Sequence, residues 1–264
     1  MPPGTPGEAE FGQSAYIFDF QDGRDAANGS MTAGSGGFQL AMDYDHLSYS
    51  TDLGGLSVAV AGSDIPLPID FSIGELAMAL AMPLSKSDES EAINASFALR
   101  DLAVSEMIWG MADPGGMIPH DPVTAVIELS GMGRLFYDLM DPAQAMQAAG
   151  GDIPGELNSI SLDELTVLAA GVEALGSGAF TFDFADFGTI PGVPRPEGSV
   201  TLNVNGLNGL LDTLIQMGLV PEQEVMGARM MMGMFANAVG DDMLESTIEV
   251  NAEGHIIANG QRIQ

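Results

Sequence analysis

A chain of 264 residues is long enough for one large core or two smaller ones, and 37 acidic against 7 basic residues give it a formal charge of −30. That balance excludes nucleic acid as a partner. Neutralising phosphates needs clustered cations, and here one lysine (Lys86) and six arginines (Arg24, Arg100, Arg134, Arg195, Arg229, Arg262) stand singly. A hydrophobic fraction of 46% excludes a disordered chain. The absence of cysteine excludes disulfides, thiolate metal sites and a cysteine nucleophile. The surplus carboxylates read as a solubility device, suited to a saline habitat. A cysteine-free chain suits an oxidising compartment, and a periplasmic location is expected.

Residues 1–13, opening Met1-Pro2-Pro3-Gly4, have neither a basic nor an apolar segment of the signal-peptide kind and read as a flexible linker. From there alternation dominates. Residues 14–20 (SAYIFDF), 38–44, 56–61, 76–82 and 93–99 each carry a period of two, the signature of strands. In 76–82, Leu76, Met78, Leu80 and Met82 share one face and three alanines the other, which predicts one well-buried face and one thinly covered face. Clusters of Gly, Asn, Asp and Ser at 22–30, 33–37, 62–64 and 85–90 predict turns at the spacing of an antiparallel meander. A local phrase recurs as Gly55-Leu56, Glu75-Leu76, Asp101-Leu102 and Glu164-Leu165, each followed by alternating apolar positions.

A short helix is predicted over 105–112 with Ser105 as cap, then a strand over 123–130. Helices are predicted over 132–139 and from Pro142 to about 149. Strands over 161–169 and 179–184 follow, with Gly176 and Gly178 at the turn between them. Pro191, Pro194 and Pro196 define a loop, since proline is foreign to a central strand. After a strand over 199–205, Leu207, Leu210, Leu211, Leu214 and Ile215 fall at helical spacing, and Gly218 closes that helix. Pro221 opens another, in which Val225, Ala228, Met232, Phe235 and Val239 form a buried stripe and Met226, Met230 and Met234 a second. Strands over 244–250 and 255–258 end the chain as a hairpin across 251–254.

The stretch Arg195-Pro196-Glu197-Gly198 before an alternating strand, the leucine-rich helix, Gly218-Leu219-Val220-Pro221, a second helix and the closing Asn259-Gly260-Gln261 resemble the C-terminal region of an uncharacterised alphaproteobacterial envelope family, a domain of unknown function. Residues 162–184, with Ala169-Ala170-Gly171 and Gly176-Ser177-Gly178, fit the same pattern. A remoter similarity is to AsmA-like envelope proteins, which implies a long curved sheet and lipid handling. The resemblance also implies an excised piece of a longer protein whose signal or anchor is missing. It carries over no catalytic residue.

Chemical motifs are sparse. His46 in Asp43-Tyr44-Asp45-His46 supplies one segment where a cation needs several, and it reads as a surface loop. His120 and His255 read as surface residues. The acidic run 19–25 lacks calcium-loop spacing and reads as a turn. No serine elbow, phosphate loop or dinucleotide fingerprint is present. No catalytic residue, metal site or cofactor is therefore expected, and no transmembrane segment, because the apolar stretch 225–239 is broken by Arg229. Eighteen methionines, flexible and polarizable, suit an adaptable apolar surface. The expected lining is Met78, Leu80, Met82, Trp109, Met226, Met230 and Met234.

The sequence thus predicts an α+β fold in a single domain over 14–264, with a sub-boundary near 150–157. A long, curved, mainly antiparallel meander carries its C-terminal helices on one face. The expected function is a non-enzymatic envelope protein holding a lipid or other apolar ligand between sheet and helices. The alternatives are a partner-binding or structural envelope component without a cavity and, behind it, a hydrolase using a carboxylate pair.

Overall fold

The computed structural model describes residues 7–22, 25–65, 68–150 and 153–263. The early strands are β1 (Gly7–Phe11), β2 (Ser14–Asp22), β3 (Asp25–Ala33), β4 (Gly36–Met42), β5 (His46–Gly62), β6 (Ile69–Pro83) and β7 (Glu91–Val104). Helix α1 (Glu106–Ala112), β8 (Val123–Leu135), α2 (Pro142–Ala149), β9 (Gly155–Ala169), β10 (Val172–Asp183) and β11 (Arg195–Asn205) follow. The chain ends with α3 (Leu207–Gln216), α4 (Glu222–Phe235), β12 (Asn237–Gly240), β13 (Met243–Val250), β14 (Ile256–Ala258) and β15 (Gln261–Arg262).

These fifteen strands form one long, curved, open sheet in which every strand pairs antiparallel; twelve run in the order β1-β4-β5-β6-β7-β8-β9-β10-β11-β13-β14-β15, and off this path β12 pairs β13 and β3 pairs β2 and β5. From β4 to β11 each strand lies beside its predecessor in sequence, so no crossover is needed, although the β7–β8 and β8–β9 connections are long and carry α1 and α2. The β2–β3 hairpin attaches beside the second half of β5, while β4 takes the first half. Helix α3 packs on β10 and α4, and α4 on β13. Helices α3 and α4 therefore gather on the C-terminal end of the sheet, α1 and α2 lie in the β7–β8 and β8–β9 connections, and most of the sheet has no second layer. Among the described residues no helix is long and apolar enough to cross a membrane.

Three neighbouring strands change the phase of their apolar pattern at one line. In β5 the apolar positions shift from Leu47, Tyr49 and Leu53 to Leu56, Val58 and Val60. In β6 they shift at Gly74, and in β7 between Leu99 and Leu102. Gly55 (φ 74°) and Asp101 (φ 55°) take left-handed conformations there, and the ladder skips them: Gly54 pairs with Glu75 and Glu75 with Arg100. In β9 a separate shift, with a register slip against β8 around Asp163, falls away from this line, which reaches β9 near Val167. In β5, β6 and β7 the recurring phrase of the sequence (Gly55-Leu56, Glu75-Leu76, Asp101-Leu102) marks this line.

Several expectations are corrected. Residues 7–11 of the expected linker form β1, whereas 1–6 lie outside the described residues. The cluster at 22–30 is strand from Asp25 on, because small residues there pair with the aromatics of β2: Gly29 with Phe18 and Ala27 with Phe20. A methyl group on Gly29 would fall 2.6 Å from the Phe18 ring. Residues 132–135 continue β8 instead of starting a helix, since Gly131 and Gly133 disfavour helix and the ladders to β7 and β9 run on through them. Gly176 and Gly178 lie inside β10, and the turn is Ala170-Gly171. Pro196 belongs to β11, in the stretch where that strand has only β10 beside it, so its missing N–H costs no ladder bond. Val239 lies in β12, beyond the end of α4.

Candidate functional site

Paired residues of an antiparallel ladder share a face, so the register traces side-chain rows across the sheet. One row runs Phe38, Thr51, Met78, Phe97, Ile127, Leu165, Gly176, Leu202 from β4 to β11. The second runs Gly36, Leu53, Leu76, Leu99, Ala125, Val167, Ala174, Val204. The third runs Leu40, Tyr49, Leu80, Ala95, Leu129, Leu162, Gly178, Val200. None of these positions carries a charge, and Thr51 and Tyr49 alone bear polar atoms.

This face was expected to be well buried, yet none of its residues is. Met78 is 46% exposed and Leu76 36%. Buried apolar side chains are instead scattered, as Leu84, Val126, Val225, Val250 and Ala258. With strands about 4.8 Å apart, eight strands give the rows a span of roughly 34 Å. Open apolar ground of that extent is unusual on a self-sufficient protein and marks an interaction surface.

At their C-terminal end the rows run beneath the helices. Leu202, Val204 and Leu244 form the floor of an apolar cleft of about 460 Å³, roofed by Leu207 of α3 and by Met231, Met232 and Phe235 of α4. Its volume lies within the usual range for small-molecule pockets, about 300–1,000 Å³. The roof is tied down by polar contacts outside the cleft. Gly206, a left-handed glycine (φ 82°), turns β11 directly into α3, and its N–H donates to the Asp242 carbonyl at 3.0 Å. The Asp242 carboxylate accepts the N–H groups of Asn208 and Gly209, each at 2.8 Å. Arg229 of α4 donates to the Asn208 side chain and carbonyl at 3.0 Å and to Asp212 at 2.8 Å, clamping the two helices together. Burial works to raise the Asp242 pKa, but the Gly209 and Asn208 N–H groups and the Arg229 charge outweigh it and hold the carboxyl below its ordinary value.

The structure separates the expected lining residues. Met78 and Leu80 stand in the rows, and Met82 lies one pleat further along β6, opposite Leu47. Met226, Met230 and Met234 face solvent on the outside of α4, exposed by 64%, 73% and 67%. Val225 is the buried residue of α4, and Ala228, Met231, Met232 and Phe235 line the cleft, with Met231 still 63% exposed. Because Met226, Met230 and Met234 face away from the cleft, no single groove joins the two methionine groups. Leu202, Val204 and Leu244, which form the floor, had no methionine to mark them.

Trp109 lies in α1, away from the rows. Its ring stacks on His120 at 4.4 Å and 5°. His120, expected at the surface, is wedged between Trp109, Glu106 (3.3 Å from Nδ1) and the buried Asp113 (3.5 Å from Nε2). Asp113 accepts the Ile118 N–H at 2.7 Å, which lowers its pKa. His46 contacts Glu91 at 2.8 Å across the start of β5 and β7. Among the described residues, no three His, Asp or Glu side chains converge on a point where a metal ion would be held.

No curated protein and no solved structure matches the chain. A family model does, and over far more than the C-terminal region that the resemblance covered. Residues 8–252 match, and the chain belongs to DUF2125, described as an uncharacterized protein conserved in bacteria.

Proposed function

We propose that this protein is a non-enzymatic component of the bacterial envelope, working in the periplasm, that holds a lipid or other apolar ligand against the rows, with the cleft under α4 receiving one end of it. The observation that carries this reading is the set of three contiguous uncharged rows, open to solvent along β4–β11 and continuous with the cleft. Each methylene of a ligand removed from water there contributes about 0.8 kcal/mol. One leaflet of a bilayer is roughly 15 Å of hydrocarbon, so the roughly 34 Å of the rows exceeds twice the reach of one lipid tail.

The test is native mass spectrometry of the protein purified without detergent and then incubated with liposomes that contain phospholipid and the uncharged lipid diacylglycerol. Added mass in lipid-sized steps is expected; bare sequence mass throughout sinks the proposal. A second reading, a partner-binding component with no ligand, is favoured by the outward methionines of α4, Met226, Met230 and Met234. It predicts that a co-purifying protein, and no lipid, is lost when these three are changed to glutamine.

A further inference from the structure

Resting on the carrier reading above, we infer that the ligand of this face carries an uncharged head group, and that anionic amphiphiles are rejected. An anionic head leaves water at reasonable cost only if it meets a guanidinium, an ammonium or converging N–H groups. The three rows offer none of these from β4 to β11. Their backbone N–H groups are spent on the ladder.

Among the described residues the arginines are already engaged. Arg100 lies 3.3 Å from Glu75, Arg134 2.7 Å from Glu156, and Arg195 within 3.4 Å of Asp183, Asp186 and Glu197. Arg229, the cation of the roof, is held by Asp212 and Asn208 outside the cleft lining. Lys86 sits exposed in the β6–β7 connection, beyond the ends of the rows. A headgroup phosphate laid on the rows would thus meet no cationic or N–H partner, in the field of a protein of charge −30. The rows carry no carboxylate either, so a cationic head also finds no contact partner on them. Hydroxyl-bearing heads fit: Thr51 and Tyr49, opposite Met78 and Leu80, are the polar side chains of the face.

The experiment measures equilibrium binding of oleyl alcohol, oleyl phosphate and oleyl trimethylammonium, which share one chain, to the full protein at low ionic strength. Oleyl alcohol is expected to bind at least about tenfold more tightly than the phosphate, a gap near 1.4 kcal/mol. That gap should narrow in 1 M NaCl, where the Debye length falls to about 3 Å. Met78→Arg places a guanidinium on the middle row and is expected to bring the phosphate within a few-fold of the alcohol. Phosphate binding as tight as alcohol in the unaltered protein overturns the inference and leaves the carrier reading standing. Tightest binding of the trimethylammonium overturns it in favour of a cationic ligand. Failure of all three to bind overturns the carrier reading as well.

Discussion

Asp242, in the turn that opens β13, accepts the Gly209 N–H of α3 at 2.8 Å and so anchors the roof of the apolar cleft from the strand beside its floor. The first N–H groups of a helix have no partner within it, and a carboxylate there satisfies them and meets the positive helix end. The contact spans 33 residues of chain and joins α3 to the segment that follows α4.

Asp242→Ala should therefore cost about 1 kcal/mol, as the loss of a helix cap does. Urea unfolding followed by circular dichroism measures it. Because the roof loosens, the same variant should bind an uncharged apolar probe such as N-phenyl-1-naphthylamine more strongly at the cleft. An unchanged midpoint and unchanged probe fluorescence would contradict this role.

Replacing Met78 by Asp puts a charge in the middle of the uncharged rows. Because Met78 is 46% exposed, little stability is at stake. Uptake of diacylglycerol from liposomes should fall by about tenfold or more, while the unfolding midpoint moves by less than about 0.5 kcal/mol equivalent. Met230→Asp, 73% exposed on the outer side of α4, should leave uptake unaltered.

Acid should destabilise the fold through a defined set of carboxyls. Asp186 is held low by the Thr189 hydroxyl, Asp183 by the Ala185 N–H, Asp43 by the His46 N–H and Asp141 by the Gln144 side chain. Asp242 joins them. Their folded pKa values lie below the ordinary 3.8, so the stability they add is complete above that value and is lost as pH falls through the folded values. Thermal midpoints should hold down to about pH 4 and then decline, more steeply in the wild type than in Asp186→Asn. A flat profile from pH 4 to pH 2 would refute the assignment.

Gly29 lets the Phe18 ring lie against the backbone of β3, so Gly29→Val should destabilise the β2–β3 hairpin by about 1–3 kcal/mol through overpacking. Hydrogen exchange localises the effect: faster exchange is expected in β2 and β3, with β8–β11 unaffected.

Trp109 is the single tryptophan, and its stacking on His120 makes it a built-in reporter. His120→Ala should expose the indole and shift its emission to longer wavelength. An unshifted spectrum would show that the stack is not formed in solution.

Much of this fold is legible in the residues. Alternation located most of the meander, and the stripe of Ala228, Met232 and Phe235 identified the inner side of α4. What periodicity could not supply was the partner of each face. Leu76, Met78 and Leu80 repeat like a buried strand, and only the three-dimensional order of the sheet reveals that no layer lies over them. Met226, Met230 and Met234 repeat with equal regularity yet point outward, because a helix with two apolar stripes does not declare which one meets the sheet. The error over 132–139 has a related source. Gly131 and Gly133 interrupt the alternation locally, while the ladders to both neighbours, which are long-range, hold the strand extended.

Because the rows cross the strands at right angles, the contact length available to a ligand is quantised by hairpins. Each hairpin inserted in register would extend the track by close to 10 Å, and each one deleted would shorten it equally. Relatives with more or fewer repeats of the meander would thus act as rulers of different reach, selecting cargo by length while keeping the same chemistry at every rung.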